Sequence, residues 1–262
     1  MRRFWVTVAL LVLPAAIRGQ ERNLGGRQPL GVRILLTSYS LAGDTTTLGY
    51  AVENSRSGGE DFSALLVAMP APVIRMPKPV RLDWVTQPRY RRQAISAWVL
   101  VEDELLHPGQ TSPELQLVAR GLPDLVRYWA VPDLVANPPV YDDEASRDYY
   151  FTYSDTGTTV GIVPVPPGAT TAALTARLRA FLGRACGDLG WITQEGVCQS
   201  LDVKLQQAQD ALAAEQGTAA RAALAAFANE LDAQHGPQPG KHVNAAAHAL
   251  LSLNAAYLLA RS

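Results

Sequence analysis

The densest set of oxygen ligands in the chain is Asp142-Asp143-Glu144 with Asp148 close behind. A hard cation such as Ca²⁺ gathers about six to eight oxygens from loops of this kind. Asp142, Asp143 and Asp148 are therefore the residues that would hold calcium, although no glycine stands where a calcium loop turns, and a solvated acidic loop is the plainer reading. Two such carboxylates held roughly 5–10 Å apart across a cleft would also serve a polysaccharide hydrolase. Other chemistries lack their signatures: G-x-S-x-G, H-E-x-x-H and G-x-x-x-x-G-K-[ST] are all missing from the sequence. His242, beside Lys241, reads as a cap or loop contact. No cofactor motif is present, so calcium is the one ion the residues suggest.

Aromatic and basic residues give a second route to function. In Tyr149-Tyr150-Phe151-Thr152-Tyr153 an extended chain would set Tyr149, Phe151 and Tyr153 on one face and Tyr150 on the other. Exposed rings of this kind stack on sugar faces, so Tyr149, Tyr150 and Tyr153 are the candidate glycan contacts. The run Arg89-Tyr90-Arg91-Arg92 adds positive charge in a loop-like stretch, and Arg91 and Arg92 would meet an acidic glycan or a partner protein. Trp98 and Trp129 alternate within strand-like runs and are expected in the core.

Compartment follows from the N-terminus and the cysteines. Arg2 and Arg3 precede the apolar run Phe4 to Leu13, and Pro14, Ala15 and Ala16 end it. This is the order of a secretory signal, expected over residues 1–20. The run is too short for a bilayer core of about 30 Å, which needs roughly 20 residues, so no membrane span is expected in the mature chain. Cys186 and Cys198 are an even pair in a chain expected to be secreted, periplasmic or on the cell surface, where a disulfide between them is allowed. Two buried reduced thiols are the competing reading. A zinc site on the cysteines is set aside, because His235, His242 and His248 lie far along the chain and C-x11-C matches no zinc spacing. With 23 Lys plus Arg against 24 Asp plus Glu, the net charge of −1 leaves no electrostatic footprint for nucleic acid or an anionic membrane.

The elements that must position these groups change character once along the chain. From Val32 to about Pro167, seven short runs rich in Val, Ile, Leu, Tyr and Trp are separated by Gly, Pro, Asn and Asp. They begin at Val32, Leu48, Phe62, Ile95, Leu115, Val126 and Thr159, and predict an antiparallel β-sandwich over residues 29–167. His107-Pro108-Gly109-Gln110 is a turn by composition. Beyond Gly168 the apolar period becomes helical. Thr170 or Thr171 caps a linking helix over 168–185, followed by a bundle over 186–262. Its three stripes are Val197 to Leu212, Ala220 to Leu231 and Ala247 to Leu258. Gly217 with Thr218 is expected to stop the first and cap the second, and Asn244 to cap the third. Short connections imply an antiparallel three-helix bundle and an α+β chain of two parts.

The bundle also carries a resemblance. Gly190-Trp191-Ile192, Gly196 to Leu201, Lys204-Leu205 with Ala208-Gln209, Ala220 to Phe227, Asn229-Glu230-Leu231 with Gln234, Gly240-Lys241-His242-Val243 and Leu250-Leu251 to Leu259 occur in that order. In pattern form they read L-x2-K-L-x2-A, A-x-F-x-N-E and G-K-H. This order resembles the FIMAH-type helical module found at the ends of secreted and surface bacterial proteins, often behind β-sandwich or enzymatic domains. The resemblance implies an accessory domain for adhesion, spacing or extracellular binding. The expectation is thus an exported non-enzymatic protein with a binding or structural role, its partner a polysaccharide or another cell-surface protein. An extracellular hydrolase with scattered carboxylates is the alternative.

Overall fold

A computed structural model describes residues 30–56, 59–79, 84–89, 94–100, 105–133, 151 and 154–261. Nine strands come first among these residues: β1 (Val32–Ala42), β2 (Thr45–Asn54), β3 (Phe62–Ala68), β4 (Val73–Arg75), β5 (Trp84–Gln87), β6 (Ile95–Leu100), β7 (Leu115–Arg120), β8 (Leu122–Pro132) and β9 (Asp155–Val163). They form a four-stranded sheet in the order β1-β2-β7-β4 and a five-stranded sheet in the order β5-β6-β3-β8-β9. Every pairing is antiparallel. The seven expected runs are seven of these strands. β4 and β5 escaped the pattern because they are short edge strands in a stretch punctuated by Pro70, Pro72, Pro77, Pro79 and Pro88, where proline leaves room for few ladder bonds.

Alternation aims the strands. Thr46, Leu48, Tyr50 and Val52 of β2 are fully buried on one face. Across the sandwich, the Tyr50 ring meets Trp98 of β6 edge-on at 5.7 Å, and its hydroxyl donates to the Val160 carbonyl of β9 at 2.8 Å. Burial pushes that phenol far above its usual titration range. β3 lies between β6 and β8 and is covered on both faces. Leu65 and Val67 join the main core, whereas Ala64 and Leu66 join Ile95, Ala97 and Val131 in a second apolar cluster on the outer face. Gly43-Asp44 turns β1 into β2 with Ala42 opposite Thr45. At Gly121 the chain leaves β7 and enters β8 of the other sheet with φ +151°; a Cβ there would lie 2.2 Å from the Val163 carbonyl oxygen, so only glycine fits.

Four helices follow among the described residues: α1 (Thr171–Cys186), α2 (Glu195–Ala213), α3 (Gly217–Gln234) and α4 (Ala245–Leu259). The Thr170 hydroxyl caps α1 by accepting from the Ala173 N–H at 3.2 Å, and Asn244 caps α4 through Ala247 at 2.9 Å. α1, at the position read as the connection, packs against α2 and α4 beside the three stripe helices. The turn between α2 and α3 differs from its expected form. α3 begins at Gly217 without a side-chain cap, and the left-handed residue that ends α2 is Glu215 at φ +58°. Reversal is achieved by backbone bonds, Gln216 N–H to the Ala211 carbonyl at 2.8 Å and Glu215 N–H to Leu212 at 3.2 Å, so glycine is not where the backbone needs it.

Side chains and loops tie the helices laterally. The Arg179 guanidinium of α1 forks onto both oxygens of Asp202 on α2, at 2.6 and 2.8 Å, which holds that carboxyl below its usual range. Lys204 of α2 reaches Glu230 of α3 at 2.6 Å. Cys186 and Cys198 are disulfide-bonded with Cα atoms 6.0 Å apart, pinning the end of α1 to the first turn of α2. Nearby, the α1–α2 and α3–α4 loops pair through Thr193 N–H to the His242 carbonyl at 3.0 Å and Asn244 N–H to the Trp191 carbonyl at 3.1 Å.

Both parts share one core. α4 is apolar around its circumference, with Ala247, Ala249, Leu250, Leu251, Ala255 and Leu258 all buried, and it lies against β1, β8 and β9 on one side and α1 and α3 on the other. Its one polar buried residue, Asn254, donates to the Pro123 carbonyl of β8 at 2.9 Å and to the Leu250 carbonyl at 2.7 Å. Beside it, Arg177 of α1 pairs with the largely buried Asp124 of β8. Among the described residues, no helix is long and apolar enough to cross a membrane.

Three stability outcomes follow. Glu215→Gly should raise the unfolding free energy by about 0.5–1 kcal/mol in urea titration, since glycine occupies the left-handed region without a Cβ penalty. Cys186→Ser with Cys198→Ser should lower it by about 3 kcal/mol, matched by reducing the native protein. Asn254→Leu should cost about 1–3 kcal/mol, because the Pro123 carbonyl is left buried and unpaired; an unchanged midpoint would remove that bond from the account of the junction.

Candidate functional site

The junction that α4 creates also assembles a polar cluster drawn from both parts of the chain. Asp232 lies near the end of α3, His235 directly after it, His248 in the first turn of α4 and Tyr39 on β1. The chain from His235 to His248 reverses at Gly236-Pro237-Gln238-Pro239-Gly240, which folds α4 back and stacks the two imidazoles with ring centres 4.2 Å apart and planes 21° off parallel. His235 meets the Val243 carbonyl oxygen through Nδ1 at 3.0 Å, and His248 meets Asp232 Oδ1 through Nε2 at 2.7 Å.

Those two partners decide the tautomers. A carbonyl and a carboxylate only accept, so the neutral rings carry their protons on Nδ1 of His235 and Nε2 of His248. The remaining lone pairs, on Nε2 of His235 and Nδ1 of His248, both face the Tyr39 hydroxyl, at 3.3 and 2.7 Å. Burial pushes the His248 imidazole below its ordinary range; the Asp232 hydrogen bond works in the opposite direction and the neighbouring His235 adds to the depression. Tyr39 is pushed up, mainly by burial and then by the Asp232 charge. A neutral His248 imidazole and a protonated Tyr39 phenol are therefore the favoured forms near neutral pH. The chain Asp232, His248, Tyr39 is a carboxylate-oriented imidazole facing an O–H, and it crosses from α3 and α4 to the sandwich.

Tyr149, Tyr150, Tyr153, Arg91 and Arg92, read as glycan or partner contacts, lie outside the described residues, as do Asp142, Asp143 and Asp148, read as calcium ligands. Phe151, between them, packs edge-on against Trp129 of β8 at 5.2 Å on the outer face of the five-stranded sheet. Trp98 is in the main core, but Trp129 points to the opposite face and is only partly buried, because it follows Tyr128 by one residue beyond the register that aims Val126 and Ala130 inward. His242 is a loop contact, its Nδ1 3.4 Å from the Thr193 hydroxyl. The Cys186–Cys198 bond is formed.

What sequence reasoning missed is the Tyr39, His235 and His248 convergence. Part of it had a signal: two histidines flanking a short Gly/Pro reversal between antiparallel helices meet at the same end of the bundle. Tyr39 had none, since it is 196 residues from His235 and reaches it only through docking of α4 on β1.

Comparison with known proteins separates the two parts. No curated protein matches the chain. Among solved structures, the GH20 exo-β-N-acetylglucosaminidase of Vibrio harveyi aligns as an inactive mutant with 10% identity and a TM-score of 0.25, covering 50% of this chain and 17% of the enzyme. Its complex with N-acetylglucosamine aligns with 9% identity and the same TM-score, covering 52% of this chain and 19% of the enzyme. The chain thus spans less than a fifth of those enzymes, at a similarity too low to bear on what it does. The family comparison is of another kind: residues 171–260, from the start of α1 to the end of α4, match the FIMAH domain, carried here behind a two-sheet part that no family model matches.

Proposed function

We propose that this chain is an exported, non-enzymatic protein that binds or holds a partner at the cell surface or in the periplasm, and that the partner is a polysaccharide. The observation that carries this reading is the FIMAH domain joined through a continuous core to a β-sandwich. A helical module that shares buried residues with the sheets moves with them as one body, so a partner held by either part loads the other directly. The Cys186–Cys198 bond supports an oxidising compartment, and the Arg2-Arg3 and Phe4 to Leu13 order supports export into it.

Glycan contact is assigned to the aromatic and basic residues read from the sequence. Phe151 packs against Trp129 on the outer sheet face, and Tyr149 and Tyr150 immediately precede it in the chain. Rings at such positions stack on sugar faces, and Arg91 and Arg92 add affinity for acidic sugars.

The test is a pull-down of cell-wall and capsular polysaccharides with the protein lacking residues 1–20, beside a Tyr149→Ala/Tyr150→Ala variant of unchanged thermal stability. Enrichment of a polysaccharide by the native protein, reduced at least tenfold in the variant, is the expected result. No enrichment of any polysaccharide sinks the glycan reading. Depolymerisation of a captured polysaccharide during the assay would instead favour a hydrolase.

A further inference from the structure

We infer that His235, His248 and Tyr39 form a binding site for a borderline divalent transition-metal ion of the zinc class, placed where the FIMAH domain docks on the sandwich. The inference goes beyond the glycan reading and is independent of it. Its basis is the direction of three lone pairs. Nε2 of His235 and Nδ1 of His248 approach one phenol oxygen at 3.3 and 2.7 Å, and each ring's other nitrogen is already occupied, by the Val243 carbonyl at 3.0 Å and by Asp232 at 2.7 Å. Three donor atoms therefore converge on one small volume with a single proton among them. The Tyr39 hydroxyl can give that proton to only one imidazole, and His248 is the nearer. The His235 lone pair is then left facing the hydroxyl oxygen with no proton between them, and a cation would bridge the two.

The outer groups are those of a metal centre. Ligating histidines donate their second N–H to a carboxylate or a backbone carbonyl, which fixes the tautomer and raises ligand basicity. Here one histidine has each kind of partner. In a tetrahedral zinc site with ligand bonds of about 2.0–2.1 Å, ligand atoms sit about 3.3 Å from one another. The 3.3 Å separation of His235 Nε2 from Tyr39 Oη matches this, and the 2.7 Å separation of His248 Nδ1 opens by a small side-chain rotation. Imidazole nitrogens select zinc, copper or nickel over calcium and magnesium. On binding, the phenol O–H bond breaks and its proton passes to solvent, leaving phenolate, two neutral imidazoles and an ion as one clamp between β1 and α4. No group of three or more His, Cys, Asp or Glu converges among the described residues, so the phenol is what completes this set.

The experiment uses the full mature chain carrying a tag without histidines, stripped with a chelator. Zn²⁺ is titrated calorimetrically into the native protein, Tyr39→Phe, Asp232→Asn, a His235→Ala/His248→Ala variant and a His107→Ala/His242→Ala control. One equivalent should bind the native protein and the control alike. Asp232→Asn should weaken binding about 10-fold to 100-fold, as loss of an outer-shell carboxylate does; Tyr39→Phe should weaken it at least as much, and the His235/His248 variant should not bind. Cu²⁺ gives a readout that survives poor folding of the double-histidine variant: a phenolate-to-copper charge-transfer band in the native protein that Tyr39→Phe abolishes. Absence of stoichiometric binding to the native protein, binding retained by the His235/His248 variant, or a native copper spectrum unchanged by Tyr39→Phe overturns the site.

Discussion

Burial of α4 between the sheets and the other helices is the constraint on which the rest of this structure depends. A helix apolar around its whole circumference cannot be satisfied by a bundle alone, which covers one face, nor by a sheet alone. It needs both, and so the sandwich and the FIMAH domain become one core. Leu250, Leu251, Ala255 and Leu258 fill the space, and the few polar groups that must enter it are paired: Asn254 with the Pro123 carbonyl, Arg177 with Asp124. These bonds add directional preference to an attraction that has none of its own.

Docking α4 has consequences at its first turn. The Gly236 to Gly240 reversal and the paired loops around Val243 fix where α4 starts, which sets His248 beside His235 and both against Tyr39. The polar cluster is thus a product of packing rather than of a local motif. Its members come from β1, α3, the reversal and α4, and its geometry holds only while the two parts of the chain remain together.

Much of the framework was legible in the sequence for a definite reason. Alternation at period two in Thr46, Leu48, Tyr50 and Val52 and the 3.6-residue period of Val197, Leu201, Leu205 and Ala208 report which face is buried, and all eight are buried. Thr170 and Asn244 announced helix starts because an oxygen-bearing side chain before an apolar run satisfies free N–H groups. Edge strands β4 and β5 were not legible, being too short to display a period among their prolines. Glu215 was not legible either, since backbone hydrogen bonds hold it left-handed against its own preference.

The sequence by itself determined seven of the nine described strands, the helices, and the order of a β-sandwich followed by a helical FIMAH domain, because each is written in local periodicity, capping chemistry or motif order. Only the tertiary structure decided that the two parts share one core, that Trp129 faces away from Trp98, and that Tyr39 meets His235 and His248. Such facts depend on which surfaces meet across nearly the whole length of the chain. Hydrophobic burial drives that meeting without specifying partners, and the shapes and polar pairings that choose them exist only once the surfaces have formed.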